Sequence, residues 1–184
     1  GGTVGHHTGS GHDHGRGHMT DDQIQRLQDR LDITDTIYRY ASCIDRRDLE
    51  GLRAVLHDDI RARYGNADWI EGGDALVKWI DEMTRDTVWQ HHLLSVYHVD
   101  LDPRDRDRAS ALVYHTSHQV FSGGPDTVGV LVARYHDQLV RTPEGWRIAE
   151  LVFELCWGEQ RTDATGYLEA VGGRGPVRET GSAR

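Results

Sequence analysis

The chain has 184 residues, with 30 Asp and Glu against 21 Lys and Arg and a formal net charge of −9. That length supports one domain with a sizeable core, and an acidic surface repels nucleic-acid phosphates and anionic membranes, so neither is an expected partner. No apolar run approaches the roughly 18 residues of a membrane span, no stretch has the build of a signal peptide, and Cys43 and Cys156 have neither disulfide-scaffold nor metal spacing; a cytoplasmic domain is the expectation.

Residues 1–18, GGTVGHHTGSGHDHGRGH, hold five of the twelve histidines and almost nothing apolar. Such a stretch cannot bury a core. It reads as a disordered tail, an expression tag ending ahead of Met19, rather than a metal-sequestering segment. From Thr20 the character changes. Thr20, Asp21 and Asp22 are cap and first-turn residues. Ile24, Leu27, Leu31, Ile33, Ile37, Tyr40 and Ile44 follow helical spacing, which predicts a long helix over about 21–45. DLEGLRAVL reads as a short second helix, IRARYG as a strand and GGDALVKWIDEMTR as a third helix. Four strand signals then follow: HLLSVYHVDLD, ASALVYHTSHQVF, VGVLVARYHDQLVR and WRIAELVFELCW, separated by DPRDRDR, SGGPD and TPEG turns. Helices first and long hairpins afterwards predict an α+β fold. The domain is expected over 19–160. The remainder, 161–184, ends in the Gly-, Arg- and Pro-rich run GGRGPVRETGSAR and is expected to be partly disordered.

Three pieces, YRYASCIDRRDLEGL, HHLLS and ARYHDQLVRTPEGWRIAEL, resemble the SnoaL-like branch of the nuclear-transport-factor-2-like superfamily. The resemblance spans about 20–158. It implies a cone-shaped α+β barrel, a strongly curved antiparallel sheet wrapped round the N-terminal helices, with a pocket opening into it. It also implies a homodimer that buries the outer face of the sheet. Several lyases of the superfamily (scytalone dehydratase, bile-acid dehydratase, hexachlorocyclohexane dehydrochlorinase) pair an Asp at the end of the first helix with a His at the start of a strand. The matching positions here are Asp45 and His91, the latter four residues before Ser95. A functional side chain five residues before the Asp matches Tyr40.

The residues themselves leave alternatives. A carboxylate that holds an imidazole in one tautomer makes it a general base near neutral pH. Strand alternation puts His91, Leu93, Ser95 and Tyr97 on one face and His92, Leu94, Val96 and His98 on the other, so His92 competes with His91 for the site. On an ideal helix Tyr38 sits nearly above Asp45, whereas the family position favours Tyr40. His115 shares a strand face with Ala111, Val113, Ser117 and Gln119 and is a candidate second proton-transfer or hydrogen-bonding group. His118 and His98 are assigned to the outer face. Asp45, His91, Tyr40 and His115 are therefore the candidate catalytic residues; Tyr38, Trp89, His92, Tyr97, Val113 and Ser117 are the expected substrate contacts. No metal is expected, because His91 and His92 point apart on a strand and the folded part has no H-x-x-x-H helix or cysteine cluster.

The reading that follows is a cofactor-free acid–base enzyme on a small hydrophobic organic substrate, most concretely a dehydratase-like lyase. The same residues could run an isomerisation or a polyketide cyclisation. A non-catalytic ligand-binding or assembly subunit would not need the carboxylate–imidazole pair, and an epoxide-hydrolase chemistry would need Glu150 or Glu154 to point inward.

Overall fold

The computed structural model describes residues 1–2, 18–124 and 126–162; both expected tails lie almost entirely outside these. Helix α1 (Asp21–Arg46) opens on Thr20, whose hydroxyl accepts from the Gln23 N–H at 3.2 Å while Gln23 Oε1 accepts from the Thr20 N–H at 2.9 Å. This reciprocal cap satisfies two donors that a helix start otherwise leaves open. At the other end Arg47 takes φ 55°, a left-handed conformation that residues other than glycine seldom adopt. Its guanidinium holds it there, donating to the Thr84 carbonyl and to Asp81 Oδ1 at 2.6 Å each. The end of α1 is thus tied to the end of α3 (Gly73–Thr84). Between them lie α2 (Leu49–Ala54), capped by Asp48 accepting from the Gly51 N–H at 2.8 Å, and strands β1 (Leu56–Tyr64) and β2 (Ile70–Glu71). A Cβ on Gly51 would sit 2.4 Å from Asp48 Oδ2 and 2.9 Å from Cys43 Sγ, so the close fold-back of α2 onto α1 requires glycine.

Strands β3 (Thr87–Leu101), β4 (Arg108–Phe121), β5 (Val128–Thr142) and β6 (Gly145–Arg161) form an antiparallel meander. The predicted α+β class and element order hold, but the expected closed cone does not form. β1 runs parallel to β6, which makes the sheet mixed, and its order is β2-β1-β6-β5-β4-β3. β2 and β3 are separate ends that do not pair with each other, so this is an open sheet and not a strongly curved closed barrel. Alternating apolar residues identify strands, but they carry no information about strand direction or about which edge a distant strand joins. With the helices covering one face, that face is buried without the sheet closing on itself.

The core lies between that face and the helices. Ile33, Ile37 and Tyr40 of α1 meet Val113, Tyr135, Ile148 and Leu151 from β4, β5 and β6. At the far end of α1, Asp29 is 5 % exposed and accepts two hydrogen bonds from Arg141, at 2.8 and 2.7 Å. Arg30 donates to the Val99 carbonyl of β3. A bulge at Tyr97 resets the alternation, so that Val99 is buried where strict parity would expose it. The opposite face of the sheet carries exposed Trp89, Leu93, Tyr97 and Trp157.

Candidate functional site

An acid in the last turn of a helix opposes the macrodipole, and Asp45 stands there. Its compensation comes from β3. Asp45 Oδ2 accepts the His92 backbone N–H at 2.9 Å, and Asp45 Oδ1 lies 2.6 Å from His92 Nδ1. β3 is an edge strand, so alternate N–H groups have no strand partner; His92 gives one of them to the helix. Two residues earlier, Gln90 Nε2 donates to the Ile44 carbonyl at 2.6 Å, a second donor for a carbonyl in the last turn that also accepts from the Arg47 N–H at 3.1 Å. The start of β3 and the end of α1 are therefore stitched together by side chains of both elements.

The carboxylate is an acceptor, so Nδ1 carries the proton and the Nε2 lone pair of His92 is free. The His92 side chain is 8 % exposed and that of Asp45 20 %. His92 thus takes the position that the family match gave to His91. His91 points to the open face, 6.4 Å ring to ring from His118 and 6.0 Å from Trp89. The rival in the sequence was the correct partner because the parity set His92–Leu94–Val96 is the one that faces the helices.

The ring of His115 lies 5.3 Å from that of His92, and 5.2 Å from each of Tyr135 and Phe153. Neither of its nitrogens has a hydrogen-bond partner among the described residues. Burial, with a smaller contribution from His92 and against the pull of Asp45, pushes its pKa down to about 3. His115 is consequently a neutral imidazole at ordinary pH, able to donate or accept one hydrogen bond but not to serve as a standing imidazolium acid. Ser117 is the register partner of His92, is buried, and has an unpartnered Oγ. Val113 is fully buried core on the same face.

Tyr40 is buried and Tyr38 is 45 % exposed, on the side of α1 with Ile24, Leu27 and Leu31, so the helix presents Tyr40 and not Tyr38 to the sheet. Tyr97 and Trp89 also leave the site. Tyr97 stacks on Tyr114 at 4.0 Å on the open face, and Trp89 stands beside His91. Glu150 is ion-paired with Arg61 at 2.6 Å, and exposed Glu154 contacts His136 at 2.8 Å; neither is an inward acid.

Three site residues escaped sequence reasoning. The Tyr64 hydroxyl of β1 is 2.5 Å from that of Tyr40. Tyr135 packs edge-on against Tyr40 with centroids 5.9 Å apart. Asp137 is 2 % exposed, and burial drives its pKa up to about 8. The signal was present in ARYHDQL, where a charged residue occupies the apolar parity of Ala133, Tyr135 and Leu139. Among the described residues no group of three or more His, Cys, Asp or Glu is placed to hold a metal ion, and no helix is long and apolar enough to cross a membrane.

The same arrangement of sheet and helices occurs in solved structures, among them a putative dehydratase from the NTF2-like family from Streptomyces avermitilis, which overlays with a TM-score of 0.62 at 13% identity, covering 71% of this chain and 99% of that one. Within the superfamily the chain belongs to the SnoaL-like family, whose domain model matches residues 25–152. An uncharacterized protein of Mycobacterium tuberculosis (strain ATCC 25618 / H37Rv), Rv2910c, is 30% identical over 135 residues, 73% of this chain and 90% of that protein. The Kfla4162 protein from Kribbella flavida overlays with a TM-score of 0.66 at 21% identity, covering 73% of this chain and 95% of that one. Hexachlorocyclohexane dehydrochlorinase LinA-type3 from Novosphingobium barchaimii LL02 overlays with a TM-score of 0.66 at 14% identity, covering 75% and 93%.

Proposed function

We propose that this protein is a cofactor-independent acid–base enzyme for a small hydrophobic organic molecule, a dehydratase-like lyase in which His92, oriented by Asp45, is the general base. The supporting observation is the double contact of Asp45 with His92, which leaves Nε2 as a free base in a nearly dry setting. Nε2 takes a C–H proton made acidic by a carbonyl in conjugation with it. Asp45 stabilises the imidazolium that forms. The electron pair of the broken C–H bond becomes the new C=C bond, the C–O bond breaks, and the imidazolium proton leaves with the hydroxyl as water. Neutral His115 and the Tyr40 hydroxyl supply hydrogen bonds to the substrate oxygens. The likeness to a dehydrochlorinase in fold is in keeping with an elimination. A homodimer through the open sheet face, in the cytoplasm, completes the reading; the exposed Trp89, Leu93 and Trp157 on that face support it.

The test is turnover of a panel of β-hydroxy-ketones, followed by the ultraviolet absorbance of the enone. His92→Ala and Asp45→Asn are each expected to lose roughly 10²–10⁴-fold in rate, while His91→Ala, on the open face, retains it. Full activity in both site variants would end this reading.

A further inference from the structure

We infer that the outward side of α1 is a docking face for the α1 of a second copy of this chain, the two helices lying antiparallel. The first observation is a row of apolar side chains that the fold does not use. Ile24, Leu27, Leu31 and Tyr38 are 53 %, 51 %, 65 % and 45 % exposed. They stand on the other side of the helix from buried Ile33, Ile37, Tyr40 and Ile44, and among the described residues none of the four belongs to the core or packs against it. A single exposed leucine is ordinary, but large apolar groups in line form a patch of the kind that marks an interaction site.

The second observation is the spacing of that row. Steps of three, four and seven residues put these side chains at the a and d positions of a seven-residue repeat, and Thr34 takes the remaining d position. A helix that covers a sheet needs a broad apolar side; a narrow a/d stripe is the seam of one helix against another. Thr34 does not spoil the seam, because its hydroxyl donates to the Arg30 carbonyl at 2.7 Å within its own helix. A partner helix packed there crosses at about 20°, its axis roughly 8–10 Å away.

The third observation identifies the occupant and its direction. A chain of net charge −9 repels its own copy, so self-association needs local charges that match. α1 has Asp21 and Asp22 in its first turn and Arg46 in its last. The Arg46 side chain is 61 % exposed and has only a loose contact with Asp48, at 3.9 Å. An antiparallel pair can seat Leu27 against the partner's Tyr38 and Leu31 against the partner's Thr34. Each acidic start then lies beside a basic end, and the two helix dipoles oppose. A parallel pair would set acid against acid and Arg46 against the partner's Arg46. The face is therefore complementary to itself in the antiparallel direction.

The experiment is sedimentation equilibrium of the full chain up to about 200 µM, where a small interface of micromolar affinity is populated, together with oxidative cross-linking. Leu31→Glu, with helix content unchanged by circular dichroism, is expected to halve the particle mass. Cross-linking in a Cys156→Ser background reads the direction. Leu27→Cys and Tyr38→Cys placed in one chain should join two chains covalently, since the two positions are too far apart along one helix to bond to each other; Tyr38→Cys alone should not. An unchanged mass in Leu31→Glu, no cross-link in the double variant, or a cross-link in Tyr38→Cys alone overturns the inference. Trp157→Glu separates this contact from pairing through the open sheet face. If Trp157→Glu halves the mass and Leu31→Glu does not, the helix contact fails and the sheet pairing stands. If Leu31→Glu halves it and Trp157→Glu does not, the helix contact stands and the sheet pairing fails.

Discussion

Asp45 makes two bonds to a single residue, and the two serve different ends. The bond to the His92 backbone N–H at 2.9 Å fixes where β3 begins, and the 2.6 Å contact with Nδ1 fixes the tautomer of the ring. Asp45→Asn separates these jobs. The amide can accept only through its one oxygen, so one of the two His92 donors must face an NH₂ group and lose its partner. Charge-assisted hydrogen bonds of this kind contribute about 1.5–3 kcal/mol, and the side chain here is mostly buried. Asp45→Asn is therefore expected to unfold about 1–3 kcal/mol more easily in urea, in addition to its effect on rate. Asp45→Glu keeps the charge but adds a methylene in a packed corner; it should recover part of the stability and little of the rate. A stability unchanged in Asp45→Asn would mean that the pair is held by packing and not by its hydrogen bonds.

At the scale of elements, α1 is fastened at both ends. Asp45 and Gln90 join its C-terminus to β3, and Asp29 joins its first half to the β5–β6 hairpin through Arg141, with Gln25 at 3.0 Å and the Trp146 indole at 3.4 Å completing the acid's bonds. Burial raises the Asp29 pKa, but these bonds outweigh it and the carboxyl ends below its usual range. Removing one partner of a buried pair costs about 3–5 kcal/mol, less here because the Arg141 side chain is 30% exposed and keeps Asp107 at 3.0 Å. Asp29→Ala should lower stability by about 2–4 kcal/mol in urea titrations; a loss under about 0.5 kcal/mol would show that the clamp contributes nothing. How much of this was legible depends on range. The capped start of α1, the α2 and α3 segments and the four long strands are local patterns, and they read correctly from residue spacing. Asp45 stood out in the sequence because an acid at a helix end calls for a partner, and it has one in His92. Its partner was misread because choosing between His91 and His92 needs the strand's facing side, which alternation defines only as a pair of options. The parallel seating of β1 on β6, and the approach of Asp29 to Arg141, are contacts between residues about 90 and 112 positions apart (Arg61 beside Glu150 across that seam, and the clamp itself), for which a single sequence holds no spacing signal.

Among the described residues, His115 and Asp137 are titratable groups buried with unpartnered polar atoms, and they make stability depend on pH in opposite directions. His115 falls from an ordinary 6.5 to about 3, and Asp137 rises from an ordinary 3.8 to about 8. Between about pH 4 and 6.5 the unfolded chain carries one proton on this pair, on His115, and the folded chain also carries one, on Asp137. Proton counts match, so the pair adds no slope. Above 6.5 the unfolded pair has no proton while folded Asp137 keeps its own until about 8, so stability falls as pH rises through that window. Below about 4 the unfolded pair binds two protons and the folded pair one until His115 titrates near 3, so stability falls as pH drops. One unmatched proton corresponds to a slope of about 1.4 kcal/mol per pH unit. Asp137→Asn removes the acid's own contribution, so its stability relative to wild type should climb steadily from about pH 4 to about pH 8 and level off above. His115→Phe, which fills the space between Tyr135 and Phe153 with another ring, should gain on wild type as pH falls from 6.5 toward 3 and track it above 6.5. Calorimetric melting temperatures of the three proteins at matched ionic strength give both difference curves. If the Asn curve is flat across 5 to 8, Asp137 is ionised in the folded protein and burial does not hold it neutral.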